Sequence, residues 1–168
     1  MRVVRLPWSL DAYYGAVEAL LRTSFGQHVR PQCFARKHWW AVVAGEESQS
    51  LVAVVNVDND TGVLWDLCVA PPARGRGVAT RLLRHVARAR ARGGPPLRLF
   101  IDSWDLAPFY RKRGFVEADL NDLPAGVDRP ARAVACLVRR NSAQDNCAAR
   151  SKSHDGRCAT SPAPGGDR

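Results

Sequence analysis

Nowhere among the 168 residues is there a run approaching the roughly 20 apolar residues that a membrane-spanning helix needs. Met1 opens directly onto the strand-like RVVRL, without a basic segment followed by an apolar one, so neither a leader nor a membrane partner is expected and the predicted location is the cytoplasm. Cysteine is sparse and unpatterned. Cys33, Cys68, Cys136, Cys147 and Cys158 form no CxxC pair and have no ligand-like spacing to His28, His38, His85 or His154, which predicts free thiols and no metal. Acidic residues are missing altogether from Pro71 to Gly94, a stretch holding seven arginines, so its charge awaits an anion from outside.

What is present indicates one globular domain: 46% of the residues are hydrophobic, enough for a core. From about Asn141 the composition turns to Ser, Ala, Gly and Pro with almost no large apolar residue, predicting a disordered tail over 141–168 behind a domain over 1–140. The tail carries four basic residues against three acids, so +8 of the net +9 charge belongs to the domain. A basic domain of this kind suits phosphate-bearing cofactors, nucleic acid or acidic surfaces.

Periodicity within 1–140 alternates between strand and helix. RVVRL at 2–6 reads as a strand; Ser9 is a candidate N-cap for a helix carrying Tyr13, Val17, Leu20 and Leu21, and another helix is expected near 27–37. WWAVV, LVAVVNV and GVLWDLCV follow as three strands of an antiparallel meander. From Gly77 the period becomes helical, with Val78, Leu82, Leu83 and Val86 on one arc and Arg81, Arg84, Arg88 and Arg92 on another. LRLFI, a short LAPFYRKR helix, GFVEA and RAVACLVRR complete the order.

A strand ending at Val69, a glycine-containing turn and a helix starting near Gly77 form an anion site. Unpaired amides at a helix N-terminus point outward, reinforced by the helix dipole. Gly75 and Gly77 permit close backbone approach, and Arg74 and Arg76 add charged donors. GRGVAT fails the last position of GxGxxG, and the segment lacks the GK[ST] ending of a phosphate-binding P-loop.

Arg74-Gly75-Arg76-Gly77-Val78-Ala79 resembles the R/Q-x-x-G-x-G/A signature of the GNAT superfamily of acyl-CoA-dependent N-acyltransferases. Downstream, Pro108-Phe109-Tyr110-Arg111-Lys112-Arg113-Gly114-Phe115 is similar to the family's second landmark, a helix bearing FY followed by GF. Two landmarks in order are far more specific than either alone. The resemblance implies a mixed α/β fold of GNAT type, a central, mostly antiparallel mixed sheet flanked by helices. It also implies acetyl-CoA as co-substrate, its pyrophosphate held by the Arg74–Ala79 backbone with Thr80 and Arg81 beside it, and its pantetheine arm paired with Leu67, Cys68 and Val69.

Acetyl transfer to an amine needs a neutral amine, a stabilised oxyanion and a proton for the departing thiolate. By resemblance Tyr110 supplies that proton. Asp66 and Asp102 are the acids best placed for a general base, against the plainer reading of strand-end acids bonded to backbone, and water alone can serve instead. Trp39, Trp40 and Trp65 read as core, whereas Trp104 is a candidate for an acceptor pocket. The expected function is acetylation of a primary amine on a small molecule, peptide or protein, by a monomer or homodimer. The alternatives are a nucleic-acid-binding protein using the Arg81–Arg92 face, which lacks the aromatic platforms expected there, and a catalytically inactive acyl-CoA-binding module.

Overall fold

The apolar stretch LVAVVNV sets the architecture. In strand β3 (Ser50–Asp58) Ala53 through Val57 are all buried, because both faces of the strand are covered. Val54 packs with Val17, Leu20 and Leu21 of helix α1 (Tyr14–Phe25), while Ala53, Val55 and Val57 pack with Leu82, Leu83 and Val86 of helix α2 (Val78–Arg90). Two cores therefore share one sheet, and each fully buried Leu or Val contributes about 1.5–3 kcal/mol.

A computed structural model of the chain describes residues 1–7, 13–26, 37–45, 50–91, 93–121 and 123–139. Antiparallel pairing joins β1 (Arg2–Arg5), β2 (Lys37–Ala44), β3 and β4 (Leu64–Val69) in that order. A second antiparallel group places β5 (Leu97–Ile101), β7 (Ala135–Arg139) and β6 (Val116–Ala118) in the order β5-β7-β6, with the one-turn helix α3 (Ala107–Arg111) between β5 and β6 in sequence. The expected meander and the expected order of later elements are both present.

Two details depart from the sequence reading. Tyr13, without a side-chain cap, stands at the N-cap of α1, whereas Ser9 lies outside the described residues. Lys37 opens β2 and so does not close a helix; residues 27–36, Arg92 and the 141–168 tail likewise lie outside the described residues.

The two sheet halves meet at a single parallel bridge between Val63 and Arg98, supported by Arg98 N donating to Gly62 O at 3.0 Å. Gly62 is required there. Its φ is +73°, and a Cβ on it would lie 2.2 Å from Pro96 O.

Candidate active site

Beyond the Val63–Arg98 bridge, β4 and β5 part. The cause lies in β4: Val54 pairs with Cys68 and Asn56 with Trp65, so Asp66 and Leu67 together oppose Val55 in a bulge. Asp66 takes a left-handed φ of +50°, the one positive φ among the described non-glycine residues. The resulting cleft has a volume of about 410 Å³. Trp65, Asp66 and Leu67 line one wall, Phe100 and Asp102 the other, and Tyr110 of α3 reaches in from the side.

At the mouth stand Phe25 from the end of α1, Leu106 from the 3₁₀ turn Trp104–Leu106, and Arg132 from the chain entering β7. Phe25 and Leu106 remain 48% and 43% exposed, an apolar rim with nothing over it among the described residues. Trp104 is 52% exposed on the same turn as Leu106 but does not line the cleft, whereas Trp65, expected in the core, does. Its ring faces Phe100 with centroids 6.1 Å apart.

The loop after β4 turns through a 3₁₀ segment, Pro71–Ala73, into Arg74-Gly75-Arg76-Gly77. Gly75 and Gly77 both have φ +74°, and a Cβ on either would meet nothing within 4 Å. These glycines thus serve backbone conformation and an open outer face, not internal packing. Gly77 is the N-cap of α2 and no side chain among the described residues caps the helix, so its first-turn amides offer an anion a site without a competing side-chain acceptor from those residues. Arg76 is exposed there, and Arg74 turns back so that its Nε donates to Val69 O at 3.0 Å.

Other residues expected around the cofactor have different environments. Val78 is buried and contributes main chain only, and Ala79 is half-buried behind it. The Thr80 hydroxyl accepts from Arg113 Nε at 3.0 Å and also from its Nη2. Arg81 lines a depression with Arg2, Arg84, His85 and Arg88, where none of the four arginines is ion-paired among the described residues. Cys68 is buried against α1, so it offers the cleft side its main chain and not its thiol; burial pushes that thiol up to about 12.

Tyr110 is held by rings. Phe109 and Phe115 pack edge-on against it at centroid distances of 5.0 and 5.6 Å. Its hydroxyl has no hydrogen-bond partner among the described residues, and burial, with a smaller push from Asp102, raises the phenol to about 12. The phenol is therefore protonated throughout the physiological range. Arg113, which sequence reasoning passed over, braces this arrangement. It lies 3.6 Å over the Phe109 ring, donates to Phe109 O through Nη1, and ties α3 to α2 through Thr80.

Asn56 was also missed. It is fully buried within β3, and its Nδ2 donates to Asp66 Oδ2 at 2.6 Å, fixing the carboxylate of the bulged residue. The available signal was a lone polar residue in an apolar run, LVAVVNV. Asp102 carries no hydrogen bond among the described residues and lines the same cleft as Asp66. No three His, Cys, Asp or Glu side chains converge as a metal site among the described residues.

An acetyltransferase (GNAT) domain family model matches residues 35–117, spanning the meander, the glycine loop and the Tyr110 helix. An amino-acid acetyltransferase from Ralstonia nicotianae is 47% identical over 63 residues, which are 38% of this chain and 14% of that much longer protein. The fold is similar to a GNAT-family acetyltransferase from Staphylococcus aureus Mu50, with TM-score 0.65, 16% identity, and coverage of 82% of this chain and 97% of that one. It is also similar to the Neisseria gonorrhoeae N-acetylglutamate synthase complexed with coenzyme A and L-arginine, with TM-score 0.64, 22% identity, and coverage of 84% of this chain and 33% of that one. With its two landmarks on the loop and helix that border the split between β4 and β5, the chain belongs to the GNAT acetyltransferase family.

Proposed function

We propose that the protein is an N-acetyltransferase that moves the acetyl group of acetyl-CoA to a primary amine by direct attack, with Tyr110 as general acid. The observation that carries this reading is the Tyr110 hydroxyl, protonated and unpartnered among the described residues, lining the cleft where β4 and β5 separate. The uncapped first turn of α2 with Gly75, Gly77 and Arg76 suits the cofactor's pyrophosphate. The main chain of Leu67, Cys68 and Val69 suits its pantetheine arm, because β4 has no ladder to β5 beyond Val63.

The amine nitrogen attacks the thioester carbonyl carbon; the C–N bond forms, the C–S bond breaks, and Tyr110 gives its proton to the departing sulfur. The amine's own proton leaves through water or through Asp66 or Asp102. A phenol near 12 is a poor donor to a thiolate whose thiol has a pKa of about 8.5 in water. Desolvation acts on both partners, however: a thiolate expelled against the apolar wall of the cleft is made more basic by the same loss of water that raises the phenol, which narrows the gap.

Tyr110→Phe keeps the ring packing and removes the donor. With free thiol release followed over an amine panel, kcat is expected to fall by roughly 10²–10⁴-fold, nearer the lower figure where water substitutes, while acetyl-CoA affinity stays within a few-fold. Unchanged turnover would remove Tyr110 from the chemistry.

A further inference from the structure

We propose that the acceptor is an α-amino acid with a large apolar side chain, its carboxylate on Arg132, its amine between Asp66 and Asp102, and its side chain on Trp65, Phe100 and Leu106. The assignment rests on the acetyl transfer proposed above and adds the class of acceptor.

The charges lining the cleft argue for it. Among the described residues that line it, the ionisable groups of fixed sign are two carboxylates, Asp66 and Asp102, and one guanidinium, Arg132. Arg132 and Asp102 have no hydrogen-bond or ion-pair partner among the described residues, and Asn56 holds the Asp66 carboxylate from behind. A ligand answering this pattern carries one positive and one negative charge close together. A polyamine would bring extra cations against Arg132. A dicarboxylic amino acid would bring a second carboxylate against two aspartates with only one guanidinium to receive both of its acids. A single carboxylate on Arg132 forms a charge-assisted, bidentate pair.

The apolar surface argues for the rest. Trp65 and Phe100 lie 6.1 Å apart with their planes inclined at 37°, and Leu106 stands 43% exposed at the mouth. Nothing polar on the acceptor's side chain is needed to satisfy this wall, and covering it with apolar atoms gains about 25 cal/mol for each Å² removed from water. The volume of about 410 Å³ is at the small end of ligand pockets, which suits a single amino acid beside the thioester and not a bulky sugar.

The test uses the full chain with acetyl-CoA and five acceptors: L-phenylalanine, L-phenylalanine amide, phenethylamine, L-glutamate and spermidine. Thiol release is expected to give L-phenylalanine a kcat/KM at least tenfold above each of the others. In Arg132→Gln the ratio of L-phenylalanine to phenethylamine is expected to collapse to about one, a change that general damage to the fold would not produce. Equal use of phenethylamine and L-phenylalanine, a preference for glutamate or spermidine, or a preference that survives Arg132→Gln would overturn the assignment. If no amine releases thiol, the transfer reading falls, and calorimetric titration of L-phenylalanine into the protein with coenzyme A then decides this inference separately. Binding that Arg132→Gln weakens at least tenfold supports it, and no binding by the wild type ends it.

Discussion

The side of the cleft proposed for the cofactor and the side proposed for the acceptor are built in opposite ways. Leu67 to Arg81 is one continuous stretch in which strand, turn and helix start follow each other within fifteen residues. The acceptor side draws Phe25, Trp65, Phe100, Leu106, Tyr110 and Arg132 from six places in the chain. A continuous site is specified by local backbone chemistry, glycine conformation and helix termini, so its parts succeed or fail together. A composite site is specified by packing, and its residues are separable. Substitutions on the two sides should therefore fail in different ways.

The largest expected effect lies in the continuous stretch. Gly77→Asp places a carboxylate at the N-cap of α2, where a Cβ would meet nothing within 4 Å. The fold should therefore survive, at about 1–2 kcal/mol for the left-handed φ. Acetyl-CoA affinity should drop by at least a hundredfold, because the new charge and bulk stand where the phosphates approach. Gly77→Ala carries the conformational penalty without the charge, and calorimetry on both separates the two terms. A folded Gly77→Asp protein with wild-type affinity would put the cofactor elsewhere.

The same contrast explains what could be read in advance. The Arg74–Ala79 stretch is local, so its glycines and the change of period after it indicated a loop on a helix start, while the tyrosine beside it was implied by the resemblance of Phe109–Phe115 to the family's second landmark. The order of strands and helices was legible for the same reason, since period-2 and period-3.6 patterns are properties of short windows. Asn56, Arg113 and Arg132 were not legible. Asn56 meets Asp66 only through the β3–β4 register, Arg113 meets Thr80 across 33 residues, and Arg132 joins the cleft only where the chain enters β7. Trp65, expected in the core, lines the cleft because β4 has no ladder to β5 beyond the Val63–Arg98 bridge, a separation that strand alternation does not foresee.

A middle-sized effect tests whether the composite side is separable. Asp66→Gly removes the carboxylate and relieves the φ of +50°, but it leaves the buried Asn56 Nδ2 without its acceptor, so stability should fall, by no more than about 1–3 kcal/mol. Amine acetylation should slow by about tenfold or more if the carboxylate receives the amine. Asn56→Leu removes the 2.6 Å donor to Asp66 together with a buried Oδ1 that has no partner among the described residues, so its stability change should be small. Its kcat should fall in the same direction as that of Asp66→Gly, with acetyl-CoA affinity retained. Full activity in both variants would reduce the Asn56–Asp66 pair to a structural brace for the bulge.

The smallest expected effect is a dependence on alkaline pH that compares the two faces of β4. Tyr110 on the cleft side and Cys68 on the α1 side are both pushed up to about 12 by burial, from ordinary values of 10.0 and 9.0. A folded-state pKa above the unfolded one gives a contribution that is complete below the unfolded value and is lost as pH rises through the folded one. Stability should thus decline from about pH 9 as the unfolded cysteine ionises, and more steeply from about pH 10 as the unfolded tyrosine joins it. Cys68→Ala should soften the decline that begins near pH 9 without abolishing it, because burial also pushes up the Cys136 thiol, and Tyr110→Phe should remove the steeper part; thermal midpoints measured between pH 8 and 11 would resolve both. Over the same range the wild-type acetylation rate should climb as the amine loses its proton, with no descending limb near pH 10, because the cleft phenol stays protonated well beyond an ordinary tyrosine. A fall in kcat with an apparent pKa of 10 would mean that Tyr110 meets bulk water despite the packing of Phe109 and Phe115 around its ring.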